Sequence, residues 1–437
     1  SYLTSISISD LTMAASLTTR RRTELNKSII GYLKSNGFDG AVQVLEKEME
    51  VKYDKKYVGK LERKWTAVTK LSAKIVRLET MIETLQEDLK NFGRGNKKDA
   101  SLALPRAPAK NICKGHKSPI TCVIFHPVYS QVVTSSEDCT IKIWDYEEGQ
   151  LEKTLKGHID VVQHISFNQD GSRMASCSAD YTIKVWNISA GQCTKTMRGH
   201  DHTVSCVEFT QAGDRLLSCS RDKSIKLWDV QTGYCLKTFE GHKEWVRQVK
   251  ISPCTTIFAS CSIDHTIRVW DYKKGEETMT FRNHKHVVDA IAFSHEKADQ
   301  VLLKHLQNGS EGGEESKKEK SSSQTTTTTP YTPQFLASAS RDKTVKIFHI
   351  PSGVMIANII GHENWVRQVV FHPSGRYLLS CADDKTVRVW DLEKRFRCRK
   401  ILEDAHDPFV TCIAWNQARP WLASGGVDNV LKIWECM

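Results

Sequence analysis

At 437 residues, with 40% hydrophobic and 26% charged residues, the chain exceeds one ordinary core, so several domains or a large repeat architecture is expected. It has no uncharged apolar run of about 18 residues, and its start lacks the charged-then-apolar order of a signal peptide; this argues against a membrane span and predicts a cytosolic protein. The formal charge of +11 favours acidic partners, whether nucleic acid, anionic membrane or an acidic protein surface, but beyond Arg20, Arg21 and Arg22 there is no basic run, which makes nucleic acid the weaker option.

Residues 1–23 are expected to be disordered, and those ahead of Met13, the first plausible initiator, are read as non-native and left out of the fold. From 24 to 56, apolar Leu25, Ile29, Ile30 and Leu33, a break at Asn36 and Gly37, then Phe38, Ala41, Val44 and Leu45 predict two short helices. One such hairpin cannot bury its own face. The string Glu24-Leu25-Asn26 through Tyr32-Leu33, Gly37-Phe38, Ala41 and Glu46 resembles a LisH (lissencephaly-homology) motif. That resemblance implies dimerisation through Leu25, Ile29, Leu33, Phe38 and Leu45. Over 57–90, Leu61, Trp65, Val68, Leu71, Ile75, Leu78, Ile82, Leu85 and Leu89 are spaced mostly four and three, a coiled-coil seam with a local stammer from Trp65 to Leu71. The alternative is a single amphipathic helix docked on the rest of its own chain; the adjacent hairpin favours a homodimer. Residues 91–109, with Gly93, Gly95, Pro105 and Pro108, read as a linker.

From 110 onward the chain repeats. Gly-His pairs end at His116, His158, His200 and His242, each 42 after the last, and Trp144, Trp186, Trp228 and Trp270 keep the same interval. The interval then lengthens to 78, from His284 to His362 and from Trp270 to Phe348, which places one 36-residue insertion at about 296–331, rich in Glu, Lys, Ser, Gly and Thr and expected to be disordered. An aspartate stands six residues before each aromatic, at Asp138, Asp180, Asp222, Asp264, Asp342, Asp384 and Asp428, so there are seven units. Each reads as four short strands, for example Thr203–Phe209, Arg215–Ser220, Ser224–Asp229 and Cys235–Phe239. This resembles the WD-repeat family and predicts an all-β seven-bladed propeller preceded by a small α-helical dimerisation motif and coiled coil. Only Glu435, Cys436 and Met437 follow Trp434, so Lys110–Lys114 are expected to supply the missing strand of blade seven and seal the ring.

A recurring His, Ser and Asp could suggest a catalytic triad. Seven copies beside a tryptophan instead read as packing; in WD repeats such residues, here His158, Asp180, Trp186 and His200, Asp222, Trp228, form a bracing hydrogen-bonded tetrad. No phosphate loop or metal-ligand spacing appears, and no cofactor or metal is expected. The fourteen cysteines contain no CxxC pair, and Cys177, Cys219 and Cys261 lie 42 apart in Ser-Cys-Ser triplets, as reduced strand-packing thiols would.

Blade-by-blade comparison locates a binding face. Three residues past the histidine most blades carry Pro119, Val161, Thr203 or Val287, but blades four and six place Trp245 and Trp365 there, followed by Arg247 and Arg367. Just before the tetrad aspartate, blades three and five place Arg221 and Arg341. Trp and Arg dominate binding hot spots, so one face is expected to grip an acidic or mixed protein surface; the alternative is that the tryptophans pack between blades and the arginines are solvated.

The order of LisH motif, coiled coil and seven repeats, with Asp222-Lys223, Val230-Gln231-Thr232-Gly233-Tyr234-Cys235 and Ser380-Cys381-Ala382-Asp383-Asp384-Lys385, resembles the lissencephaly-1 protein family over residues 24–437. The resemblance implies a non-catalytic regulator of cytoplasmic dynein that grips the motor domain of the heavy chain through Arg221, Arg247, Arg341, Trp365 and Lys385. It implies roles in minus-end-directed microtubule transport, nuclear positioning and the mitotic spindle. It also implies residence in the cytoplasm, on the cytoskeleton and at the centrosome or spindle pole, and binding to nuclear-distribution E type coiled-coil adaptors. The alternative it carries is the noncatalytic regulatory subunit of a platelet-activating-factor acetylhydrolase, bound to catalytic subunits; a ubiquitin-ligase substrate receptor is disfavoured because no F-box-like segment precedes the blades.

Overall fold

The structure, a computed structural model, describes residues 19–35, 37, 39–49, 52–55, 103–308 and 331–437. The chain divides into two units, Ser1–Lys97 and Lys98–Met437. No helix among the described residues is long and apolar enough to cross a membrane.

In the first unit two helices, α1 (Thr19–Ser35) and α2 (Asp39–Met49), pack together. Helix α1 begins inside the stretch 1–23 expected to be disordered, because Arg20–Arg22 are good helix formers with no Gly or Pro among them. It ends at Gly37, whose φ of +81° gives the left-handed turn while its N–H reaches the Lys34 carbonyl at 3.3 Å. Ile30 and Val42 are buried, whereas Tyr32 and Val44 remain exposed. After α2 the chain folds back, with the Tyr53 amide donating to Glu46 at 2.5 Å and Lys34 lying over the Tyr53 ring. Ile29, Leu33 and Leu45 are half-buried; the side chains of Leu25 and Phe38 and the expected coiled coil over 57–90 lie outside the described residues.

The second unit is a ring of seven four-stranded antiparallel sheets. Blade three shows the pattern, with strands Val204–Phe209, Arg215–Ser220, Ile225–Asp229 and Cys235–Phe239 within a residue of those read from the sequence. Blade seven takes its fourth strand from the front of the chain, Asn111–Lys114 running antiparallel to Val430–Glu435 with Asn111 opposite Ile433. The pairing continues past Lys110: Leu104 and Met437 exchange backbone hydrogen bonds of 3.2 and 3.3 Å, Pro105 bridges Cys436, and the buried His372 donates from Nε2 to the Ala103 carbonyl at 3.1 Å. Residues 103–109, expected to be linker, are therefore part of the propeller; burying Ala103 and satisfying two backbone edges hold them there.

The core is divided among the seams between blades. Ile141 and Val133 of blade one pack on Ile165, Met174 and Trp186 of blade two, and each later pair of neighbours repeats this up to the seam where Leu431 and Ile433 of blade seven meet Ile120 and Val132 of blade one. The fourteen cysteines are free; Cys177, Cys219 and Cys261 are fully buried in the second strands of their blades, and burial pushes those thiols well above their ordinary value.

The insertion is not wholly irregular. Its first part forms α3 (Glu296–Asn308), whose Ala298 and Leu302 are fully buried against a core containing Phe335, Phe371 and Leu392. His305 Nε2 donates to the Leu392 carbonyl at 2.6 Å, and Asp299 accepts from the Gln334 amide at 3.1 Å and from the Tyr331 hydroxyl. The helical spacing of Ala298, Val301, Leu302 and Leu306 is masked in the sequence by the polar tail that follows; residues 309–330 lie outside the described residues.

Each blade is braced by one hydrogen-bonded chain. In blade three the Trp228 indole N–H donates to Ser218 Oγ at 2.7 Å, Ser218 Oγ lies 2.7 Å from His200 Nε2, and His200 Nδ1 lies 2.7 Å from Asp222. In blade two, Trp186, Ser176, His158 and Asp180 repeat this, and in blade one Thr134 replaces the serine. An ionised carboxylate only accepts, so Nδ1–H must donate to it and neutral Nε2 must accept the hydroxyl proton. The six histidines from His158 to His406 and His116 have side chains no more than 1% exposed, so no substrate could reach them, and the tetrads are structural. Blade five departs, with Phe348 where the tryptophan stands and Asn283 where blades one to four and six have glycine. The two changes fit together, since a Cβ on those glycines would stand 2.7–3.2 Å from the far edge of the indole, an edge that Phe348 lacks.

Because Ser218 serves both an imidazole and an indole while Ser338 serves an imidazole and receives no indole N–H, Ser218→Ala should cost about 2 kcal/mol and Ser338→Ala about half that; equal shifts in urea midpoint would refute the shared-hydroxyl account. Burial alone would raise Asp138, but hydrogen bonds from Thr140, the Lys117 amide and His116 outweigh it and hold the carboxyl at about 2. The other six tetrad aspartates are also lowered against burial, five by their histidines and threonine or serine neighbours and Asp428 by His406 with the Val430 and Asp407 amides. Burial lowers His116, His284 and His362 despite their aspartates. Both kinds of group take up protons more readily when unfolded, so stability should be full above about pH 6.5, fall as the pH drops below it, and fall more steeply below about pH 4. A denaturation midpoint constant from pH 7 to pH 3 would contradict this.

Candidate functional site

Two repeated backbone devices shape one face of the ring. The first follows each tetrad aspartate, whose second oxygen accepts from the amide two residues on, as Asp222 does from Ser224 at 2.9 Å. This forces the intervening residue into the left-handed region, at Cys139, Tyr181, Lys223, His265, Lys343, Lys385 and Asn429, with φ between 62° and 70°. The second is a bulge in the first strand of every blade. In blade four Val246 pairs with Ser262 and Gln248 with Cys261, leaving Arg247 between them without a ladder partner. The bulged residues, Thr121, Gln163, Ser205, Arg247, Asp289, Arg367 and Thr411, together line the mouth of the central channel, a cavity of about 510 Å³.

The arginines picked out by sequence meet here around two carboxylates that sequence reading missed. Asp289 is almost wholly buried and accepts from Arg247 Nε at 2.8 Å and from Arg341 Nε at 2.9 Å, with Arg367 at 3.6 Å. Burial would raise its pKa, but the guanidiniums, Arg247 foremost, prevail and keep it below the ordinary carboxylate range. Arg367 is held in a two-point pair by Asp383, both bonds 2.7 Å. Asp289 could have been found from sequence by aligning the bulge position, where it is the one acidic residue among the seven.

Trp365 is half-buried beneath Arg341 and Arg367, whose guanidinium carbons lie 4.6 and 5.2 Å from its ring centre, and Arg221 covers Trp245 at 4.8 Å. The rings extend outward through His202, 5.9 Å from Trp245, to Tyr181, 5.7 Å from His202. With Ile159, Tyr181 and Trp245 exposed, this side of the face is apolar. The tryptophans therefore stack with arginines at the surface and do not fill the seams. Lys385 is on the same face but outside the cluster, paired instead with Asp407 at 2.6 Å. In both Trp-Val-Arg-Gln-Val strings the glutamine is structural: Gln248 accepts from the Ile291 amide at 2.7 Å and Gln368 from the Ile413 amide at 2.8 Å, each tying its blade to the next. Helix α3 instead packs near Phe396, in the loop joining the third and fourth strands of blade six, on the opposite face.

Among the described residues no three His, Cys, Asp or Glu side chains are arranged to hold a metal. Four guanidiniums against two carboxylates, beside exposed aromatic rings, suit an acidic protein surface with apolar contacts.

Comparison with known proteins agrees with this architecture. A family model described as "WD domain, G-beta repeat" matches residues 109–145, 149–187, 191–229, 233–271, 353–391 and 396–435. The first three strands of the fifth blade, interrupted by the insertion, fall between the fourth and fifth matches. A model described as "PAC1 LisH domain" matches residues 19–54. The Lissencephaly-1 homologs of Heterostelium pallidum and Dictyostelium discoideum are each 55% identical to the chain, over 96% of it and 99% of their own length. The Nuclear distribution protein PAC1 of Coccidioides posadasii is 42% identical over 95% of this chain and 91% of its own.

Replacing Asp289 with asparagine should destabilise the propeller by about 3 kcal/mol, because three arginines lose their shared carboxylate. A guanidinium chloride midpoint unchanged by Asp289→Asn would show that the cluster does not depend on that charge.

Proposed function

The chain belongs to the family of Lissencephaly-1 homologs and nuclear distribution protein PAC1, and from that membership we propose that it is a non-catalytic regulator of cytoplasmic dynein acting in nuclear distribution. The partner is the motor domain of the heavy chain, and the contact is the face carrying Arg221, Arg247, Arg341, Arg367, Trp245 and Trp365, with Lys385 at its edge. The observation that carries this reading is the clustering of these side chains at one channel mouth, with an excess of positive charge and exposed rings. Such a face offers large contact area and charge-assisted hydrogen bonds, the two ingredients of a hot spot.

The protein acts as a dimer held by its LisH helices. Exposed Tyr32 and Val44, on helices too short to form an isolated core, support that. Two propellers on one stem engage the motor by avidity, the second contact being made at raised effective concentration. The site of action is the cytoplasm, on microtubules, including those of the spindle.

Binding of purified dynein motor domain should weaken by about 2 kcal/mol or more, some thirtyfold, when Arg247 and Arg341 are both changed to alanine. Arg221→Ala, which leaves the Asp289 cluster intact, separates contact from folding: it should weaken binding with the circular dichroism and melting curve retained. Wild-type affinity in both variants would move the partner away from this face.

A further inference from the structure

Blades three, five and six share one frame at the channel mouth. In each, the amide before the tetrad aspartate donates to the carbonyl just ahead of the first strand: Arg221 to Thr203 at 3.0 Å, Arg341 to Val287 at 2.9 Å, Asp383 to Trp365 at 2.9 Å. This sets the side chain of that residue beside the bulged residue of its own blade. In blade five the two are Arg341 and Asp289, and in blade six they are Asp383 and Arg367; both form ion pairs. In blade three they are Arg221 and Ser205, where the arginine has no acid opposite it.

The consequence is visible in the hydrogen bonding. Arg221 Nε and Ser205 Oγ are both buried and both lack a hydrogen-bond partner, and Arg221 makes no ion pair among the described residues. The neighbouring Arg247 uses its Nε on Asp289. Burial, then the like charge of Arg247, lowers the Arg221 pKa, so its cationic form is held at a cost. Trp245 and His202 wall the position on its outer side. A half-buried cation and a hydroxyl left open at a channel mouth suit an acceptor with two oxygens that arrives from outside.

We propose that Arg221, Ser205 and Arg247 form an oxyanion socket in which a carboxylate of the bound protein completes blade three, as Asp289 and Asp383 complete blades five and six from within the chain. The identity of the bound protein rests on the preceding functional reading; the socket does not. Within the face, this separates arginines neutralised internally from the one that needs a charge from its partner.

The test is to supply the missing carboxylate internally. In the full-length chain, Ser205→Asp recreates the pair of blade five. Its thermal midpoint should rise by about 2 °C or more, the gain should vanish in an Arg221→Gln background, and affinity for the dynein motor domain should fall at least about tenfold because the socket is filled. Sodium acetate, at constant ionic strength, should raise the midpoint of wild type and leave Ser205→Asp unmoved. A midpoint for Ser205→Asp equal to or below wild type, or motor binding unaffected by it, overturns the proposal. Stabilisation by inorganic phosphate and not by acetate overturns the carboxylate assignment in favour of a free phosphate. If wild type itself fails to bind the motor domain, the functional reading falls, while the midpoints still decide whether the socket exists.

Discussion

The ring depends on a hydrogen-bonded chain that can run in only one direction. A carboxylate accepts and never donates, so the imidazole beside it must present Nδ1–H, its Nε2 must accept from the hydroxyl, and the hydroxyl oxygen is left to receive the indole N–H. The second and third strands, the turn between them and the loop ahead of the blade are tied together by this order, far from solvent, where each bond is strong and each loss is expensive. The aspartate has a second oxygen, and its bond to the amide two residues on turns the backbone left-handed. The group that locks the inside of a blade thereby shapes the surface loop above it.

The face that carries the arginines and tryptophans is assembled from that regularity. Tyr181, Lys223, His265 and Lys385 all occupy the left-handed position, and the bulged residues ring the channel beside them. On this fixed frame the electrostatics are local. Asp289 draws in arginines from blades four, five and six, so three blades share one buried charge, and Trp365 is covered by two of those arginines. Cations stacked on rings keep their outer edges available, which suits a surface that must be stable alone and still able to bind.

The architecture was legible because it repeats. An interval of 42 residues, an aspartate six before each aromatic and a last unit one strand short led to seven blades and to the strand that closes them. What escaped was not periodic. Asp289 occurs once at its position, and the importance of that position appears only when the unpaired residue in the first strand is seen. Helix α3 was hidden because its apolar spacing runs directly into a polar, low-complexity stretch. Residues 103–109 looked like linker because proline and alanine give no strand signal, yet backbone pairing with Glu435–Met437 needs little from their side chains. Counting from the histidine put the tryptophans and arginines together on one face, where the structure has them, but counting could not show which arginines neutralise carboxylates within the chain.

The bulge has an evolutionary side. A residue inserted into a strand without a ladder partner can change its charge and size while the pairing on either side of it stays the same. Threonine, glutamine, serine, arginine and aspartate all occupy this one position among the seven blades, over ladders of the same register. The ring thus carries a seven-letter address that mutation can rewrite one letter at a time, while the tetrads beneath preserve the surface on which it is written.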